Sequence, residues 1–298
     1  MRQKTASPLG KLHPCSHPPA PDINANDIRN QTKRDMQDRH TNRSRYFSEL
    51  AETSRRYFMP YVSRWHEIKT GQKVLEIGCG EGGNLLPFAK AGLEVTGIDI
   101  ARVRISQARE FFAKAQTEGK FVCQDIFRLQ PGEKFSIIIC HDVVEHVADK
   151  GRLLSLVSSL LAEDGVAFVS FPAWQMPFGG HQQICRNMFL ARLPFVHLLP
   201  TALYKSIIRW AGESDDCLQE LLSIRETGTT IESFERLVGR SGLTIADRSL
   251  FFINPHYKVK FGLPPCRLPR WASAMPYLRN FLSSSCWYLL QRHASATS

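Results

Sequence analysis

The run Val74-Leu75-Glu76-Ile77-Gly78-Cys79-Gly80-Glu81-Gly82-Gly83-Asn84 sets a carboxylate two residues ahead of a glycine-rich turn. Such a turn lets a ligand approach the backbone amides that open the next helix, and a carboxylate beside it can hold an ammonium group. Gly78, Gly80 and Gly83 also satisfy GxGxxG, a weak fingerprint of dinucleotide binding. Glu76 argues against a dehydrogenase, whose strand offers an apolar side chain at that place. Two further acids close apolar runs, Asp99 in Gly97-Ile98-Asp99-Ile100 and Asp125 in Cys123-Gln124-Asp125-Ile126-Phe127. In Cys140-His141-Asp142-Val143-Val144-Glu145-His146-Val147, Asp142, Glu145 and His146 stand at i, i+3 and i+4. One helical face can therefore present two carboxylates and an imidazole over a site. His141 and His181 add imidazoles that titrate near neutrality, the property wanted of a general base.

Taken together, these motifs resemble the class I S-adenosylmethionine-dependent methyltransferases, whose first motif is an acidic residue followed by GxGxG. The likeness covers about 70–172, continues loosely through 229–261, and leaves the rest unmatched. It implies S-adenosylmethionine as cofactor, bound by Glu76, Gly78, Cys79, Gly80 and Gly82, with His141 beside the site. It also implies that Asp99 meets the ribose hydroxyls, with Ile100 next to it, and that Asp125 meets the adenine amino group, with Ile126 beside the ring. The Asp142-x-x-Glu145-His146 segment is similar to that of ubiquinone-pathway O-methyltransferases and small-RNA 2′-O-methyltransferases, in which ExxEH binds a divalent cation. That similarity makes Asp142, Glu145, His146 and His181 candidate ligands for Mg²⁺ or Mn²⁺, although Asp142 is one methylene shorter than the families' Glu. Without a metal, His181, His146 or His141 is the candidate catalytic base.

These residues need elements to position them. Strands are predicted at Lys73–Ile77, Glu94–Ile98, Lys120–Cys123, Phe135–Cys140 and Val166–Phe171, alternating with helices at 84–91, 102–116 and 143–161. Alternation of this kind means a doubly wound α/β fold whose ligands bind beyond the carboxyl ends of the strands. The expected fold is a Rossmann-like, mainly parallel seven-stranded sheet with one antiparallel strand and a helical lid insertion. The segments are a disordered basic arm (1–42), the cofactor-binding core (43–172), a lid over the acceptor (173–228), completion of the sheet (229–263) and a basic amphipathic C-terminal segment (264–298). Completion is expected as a helix over 229–240, a strand over 243–253 and a hairpin partner at 257–261. Over Arg270–Arg292, Trp271, Met275, Leu278, Phe281, Leu282 and Leu289 recur at near-helical spacing, which predicts a helix able to lie in a membrane interface or to dock on its own domain.

Composition sets the outer bounds. With 298 residues, 43% of them hydrophobic and 22% charged, the chain can bury a core and is not wholly disordered. No apolar stretch approaches the roughly 18–20 residues that span a bilayer, and eight scattered cysteines without a CxxC pair predict a reducing, cytoplasmic setting. The net charge of +10 sits at the ends. Residues 1–45 hold nine Lys/Arg against four Asp/Glu, and 256–298 hold six against none. The termini therefore suit anionic partners, a membrane surface or nucleic acid. The expected activity is methylation of a small-molecule or lipid-like acceptor, chiefly at oxygen. The alternatives are a nucleic-acid methyltransferase and a non-catalytic scaffold that retains the cofactor fold.

Overall fold

A computed structural model describes residues 42–129 and 132–293. The expected arm lies outside these residues. The described chain runs α1 (Arg43–Thr53), a π turn, α2 (Met59–Val62), β1 (Lys73–Ile77), α3 (Leu86–Lys90), β2 (Glu94–Asp99), α4 (Arg102–Lys114), β3 (Lys120–Cys123), β4 (Phe135–His141), α5 (Lys150–Leu160) and β5 (Leu161–Phe171). After β5 come α6 (Met188–Arg192), α7 (Thr201–Trp210), α8 (Asp215–Thr227), α9 (Ile231–Val238), β6 (Leu243–Ile253), α10 (His256–Phe261), β7 (Cys266–Arg267), α11 (Arg270–Ser273), α12 (Leu278–Leu282) and β8 (Ser285–Arg292).

The strands form one sheet in the order β3-β2-β1-β4-β5-β8-β6-β7. The first five are parallel, and β8 runs antiparallel to both β5 and β6. The architecture is the expected Rossmann-like one, with eight strands rather than seven because the two-residue β7 pairs with β6. Strand side chains alternate between two cores, as the period of two requires. Leu75, Ile138, Val169 and Tyr288 face one core with α5 and α9, whereas Val74, Ile137, Phe168 and Trp287 face the other with the N-terminal helices and α4. Residues 173–228 fold as three helices around a separate small core that includes Leu190, Tyr204, Ile208 and Leu221. Among the described residues no helix is long and apolar enough to cross a membrane.

Three local expectations are corrected. The closing strand is not 257–261. Asn254 Oδ1 accepts the His256 N–H at 3.0 Å, Pro255 presets the first turn, and Gly262 at φ +75° ends the short helix α10. The strand is instead Ser285–Arg292, where a helix was expected, and it is buried on both faces between β5 and β6. A short apolar run with both faces buried has no period that separates strand from helix. The helix expected from Val143 starts only at Lys150, because Asp142 sits at φ +52°, Val144–His146 form a 3-10 turn, and the Asp149 side chain caps α5 by accepting from the Arg152 N–H at 2.8 Å.

Trp287 is the hub of the second core. Its ring lies 5.2 Å from Phe58, 5.4 Å from Tyr61, 5.2 Å from Phe168 and 4.8 Å from Phe251. Replacing Trp287 by Ala should cost about 3–5 kcal/mol of stability, read as a lowered urea midpoint. A loss below about 1 kcal/mol would mean that β8 does not hold the sheet together.

Candidate active site

The site is assembled at the carboxyl edge of β1, β2, β4 and β5. Gly78, at φ +68°, follows β1, and a side chain there would collide with Val143, so the glycine turn and the turn after β4 are packed directly on each other. Gly80, at φ +52°, is buried, but an added Cβ would meet only the Arg104 side chain, at 3.9 Å, so there is room beside it that the Gly78 turn lacks. Cys79 and Gly82 are buried in the same turn.

Three buried acids of this edge differ in how they are compensated. Asp99 is fully engaged: Oδ2 accepts the Gly80 N–H at 2.9 Å and Oδ1 the Ala101 N–H at 2.7 Å, tying the end of β2 to the glycine turn. Glu76 has one partner, the Asn84 amide, which donates to Oε1 at 2.7 Å, while Oε2 has none. Burial, partly offset by that amide, pushes its carboxyl up to about 8. Glu145 has no hydrogen-bond partner on either carboxylate oxygen, and burial, with the Asp142 charge adding, holds its carboxyl well above the ordinary range. The remaining cofactor candidates are more open. Asp125 is exposed and caps a 3-10 turn by accepting the Phe127 N–H at 2.9 Å, with Ile126 buried behind it. Ile100, 77% exposed at the end of β2, leaves an aliphatic side chain uncovered beside Asp99.

Of the candidate ligands, Glu145, His146 and His181 come together, with one ligand atom of each lying within 4.8 Å of the others. The two imidazole rings stand 5.2 Å apart and edge-on. Asp142 is not in that group; it turns toward His141, whose Nδ1 is 3.6 Å from Asp142 Oδ2. The His141 ring packs on Phe58 at 4.9 Å, so of the three candidate bases it is a wall of the site rather than a member of the cluster. Asp142 and His181 both adopt left-handed backbone, uncommon for residues other than glycine and concentrated at functional sites. Burial first, and the neighbouring His146 second, lower the His181 imidazole to about 4, so it stands neutral at pH 7.

The methyltransferase-domain family matches residues 42–246. The chain belongs to that family. Among curated relatives, the ubiquinone biosynthesis O-methyltransferase of Rhodopseudomonas palustris (strain HaA2) is 32% identical over 101 residues, 34% of this chain and 40% of that one, the likeness anticipated from the motifs. The protein of the same name from Coxiella burnetii (strain Dugway 5J108-111) is 33% identical over 113 residues, 38% and 48% of the two chains. This chain thus spans less than half the length of these curated relatives. Among solved structures, the magnesium protoporphyrin IX methyltransferase of Synechocystis PCC 6803 with bound SAH superposes with a TM-score of 0.50 at 18% identity, covering 82% of this chain and 83% of that one, a likeness of fold.

Some residues of this methyltransferase-domain site were not singled out by motif. Asn84, last residue of the glycine run, is the one donor to Glu76. Tyr46 on α1 has its phenol shifted upward by burial and then by the charges of Asp142 and Glu81, which brings the N-terminal helix against the site. Arg43 pairs with buried Glu81 at 3.2 Å.

The raised Glu76 carboxyl has a measurable consequence. Between about pH 4.5 and 8 the folded protein keeps a proton that the unfolded chain has released, so stability falls as pH rises through that window. Glu76→Gln should match the parent near pH 5 and exceed it near pH 9 by about 1–4 kcal/mol in chemical unfolding. Equal pH slopes for the two proteins would show that Glu76 is ionised in the unliganded fold.

Proposed function

We propose that this chain is an S-adenosylmethionine-dependent methyltransferase acting on an oxygen of a small-molecule or lipid-like acceptor. The observation that carries the reading is the convergence of Glu145, His146 and His181 on a turn packed against the Gly78 turn. An acceptor-binding cluster and a cofactor cradle thereby share one edge of the sheet, where open α/β sheets bind ligands.

The cradle fits the cofactor. Glu76, with an unpartnered buried oxygen, suits the ammonium of the methionyl group, which would restore its ionised form. Asp99, held by two backbone amides, keeps lone pairs in place for ribose hydroxyls. Ile100 and Ile126 offer apolar cover for adenine, and Asp125 offers an acceptor for its amino group. Bound there, S-adenosylmethionine supplies an electrophilic methyl on sulfur. The protein's part is to hold the acceptor oxygen in line at near-attack distance and to manage its proton.

Glu145, His146 and His181 also fit a divalent cation. A buried carboxylate without partners and two imidazoles, one of them neutral, form a mixed oxygen and nitrogen donor set, which suits Mn²⁺ or Zn²⁺ better than Mg²⁺. A cation held there lowers the pKa of the acceptor hydroxyl. The low basicity of His181 weakens the case for it as sole base and favours ligation or orientation of the acceptor. Residues 173–228, which carry His181 at their start and their own small core, suit a cover that excludes water.

Calorimetric titration with S-adenosylmethionine and S-adenosylhomocysteine, with NAD as control, tests the cofactor. Micromolar binding of both adenosyl compounds and none of NAD is expected, and Asp99→Ala should weaken it at least about tenfold. His181→Ala should leave that binding intact while lowering turnover on catechol-type acceptors about a hundredfold or more, and chelation should reproduce the loss. Absence of adenosyl binding would overturn the reading; loss of cofactor binding in His181→Ala would overturn the division of roles.

A further inference from the structure

The chain between β6 and β8, residues 254–284, replaces the expected helix with a folded cap. Because β6 runs in the same direction as β1–β5, the cap rises from the carboxyl edge that carries the site. Its first turn adjoins the site: the Tyr257 phenol is pushed up by burial and then by the Asp142 charge, and His256 Nδ1 lies 2.8 Å from the Thr53 hydroxyl on α1. Its far end meets the lid, with Phe281 and Phe195 rings 6.3 Å apart.

The inner side of the cap is tied down by polar contacts. Arg279, buried, donates to Glu232 at 2.9 Å and to Glu235 at 3.0 Å on α9. Asn280 donates to Glu232 at 2.7 Å and accepts the Ile231 N–H at 2.8 Å. Glu235 is shared with Arg248 and Tyr288 of the sheet. With Arg279 and Asn280 turned inward, the cap shows solvent large apolar side chains and cations. Tyr277 is 70% exposed, Trp271 67%, Leu263 48% and Leu278 45%, with Met275 and Phe281 also exposed. Lys258, Arg267 and Arg270 are exposed among them, and residues 256–293 contain no Asp or Glu. Large apolar side chains clustered on one connection are unusual on a soluble surface and mark an interaction site.

We propose that this cap is an interfacial docking surface for an anionic lipid bilayer, which sets the mouth of the site against the membrane and draws the acceptor from it. Charge complementarity selects the occupant: a surface of cations without acids meets anionic headgroups, while Trp and Tyr sit at headgroup level and Leu and Met enter the acyl boundary. The aliphatic members favour lipid over nucleic acid, which would be met by cations and stacking rings. In naming the source of the acceptor, the proposal rests on the methyl-transfer reading; docking itself does not.

Flotation of the full-length protein with vesicles of phosphatidylcholine, alone or mixed with phosphatidylglycerol, tests it. Binding to the anionic vesicles is expected at low salt, at least about tenfold stronger than to phosphatidylcholine alone. Trp271→Ser with Leu278→Ser should weaken it about tenfold, and Lys258→Glu with Arg270→Glu should remove the anionic preference. Both double variants should keep the parent's Tm and its affinity for S-adenosylmethionine. Brominated lipid should quench the fluorescence of the parent more than that of the Trp271→Ser variant. The proposal fails if the parent does not float with anionic vesicles, or if both double variants float as it does, which would assign binding to another part of the chain. It fails equally if only single-stranded RNA binds, in a salt-sensitive way that Lys258→Glu with Arg270→Glu abolishes. Loss of the methyl-transfer reading would show separately, as absent cofactor binding in calorimetry with flotation intact.

Discussion

The insertion of β8 between β5 and β6 is the constraint on which the rest of the molecule depends. Without it β5 would be an edge, with a row of unpaired amides facing solvent and Phe168, Val169 and Phe171 uncovered. With it, Trp287 and Leu289 join the N-terminal helices in one core while Cys286, Tyr288 and Leu290 join α5 and α9 in the other. A single strand therefore couples both layers. The same insertion fixes the end of β5: Ala173 donates to the Ser283 carbonyl at 3.4 Å, and Trp174 to the Thr229 carbonyl at 2.8 Å. From that anchored point the chain leads within eight residues to His181.

Anchoring matters because the site accumulates buried carboxyl groups. Asp99 is met by two amides, Glu76 by one side-chain amide and Glu145 by no hydrogen-bond donor, only the charge of Lys150, a graded series at one edge of the sheet. An uncompensated buried carboxylate either holds its proton or waits for a cation. The series thus orders the acids by their need for a ligand. Asp99 is complete and positions others, Glu76 needs a single positive group, and Glu145 needs more than the described fold supplies. On the proposed reading, an ammonium at Glu76 and a metal at Glu145 would answer the two deficits with different chemistry.

The parallel half of the fold was legible because its signals are local. KVLEI, GIDI and CQDIF each join a short apolar run to a glycine or an acid, and β1–β5 lie where those runs are. The C-terminal third was not legible in the same way. Cys286–Leu290 is uniformly apolar because both faces are covered, so the spacing of Trp271, Leu278 and Leu289 imposed a helical reading on residues that are partly exposed cap and partly central strand. In the site, spacing set Asp142, Glu145 and His146 on one face on the assumption of a continuous helix, and only the family resemblance joined His181 to them; the structure brings Glu145, His146 and His181 together and leaves Asp142 out. Its left-handed backbone breaks that helix and turns the carboxylate toward His141. The missed signals were short ones: Asp149 as the cap of α5, and the Asn254 side chain turning the chain into α10 by accepting the His256 N–H.

Of the two left-handed residues of the site, His181 is set in a tightly packed surround. The Gly179 and Gly180 pair before His181 leaves no room for side chains: one would strike the Trp174 backbone and the other His197. His197 is buried and shares its imidazole with the Trp174 carbonyl at 2.7 Å, while Gln182 is buried and donates to the Leu193 carbonyl at 2.9 Å. The chain around His181 is therefore as tightly determined as the core, although it belongs to a segment with a separate small core of its own. Any motion of the segment would have to come from α7 and α8, because α6 lies inside this knot, between Gln182 and Leu193. His181 would then stay with Glu145 and His146 through such a motion.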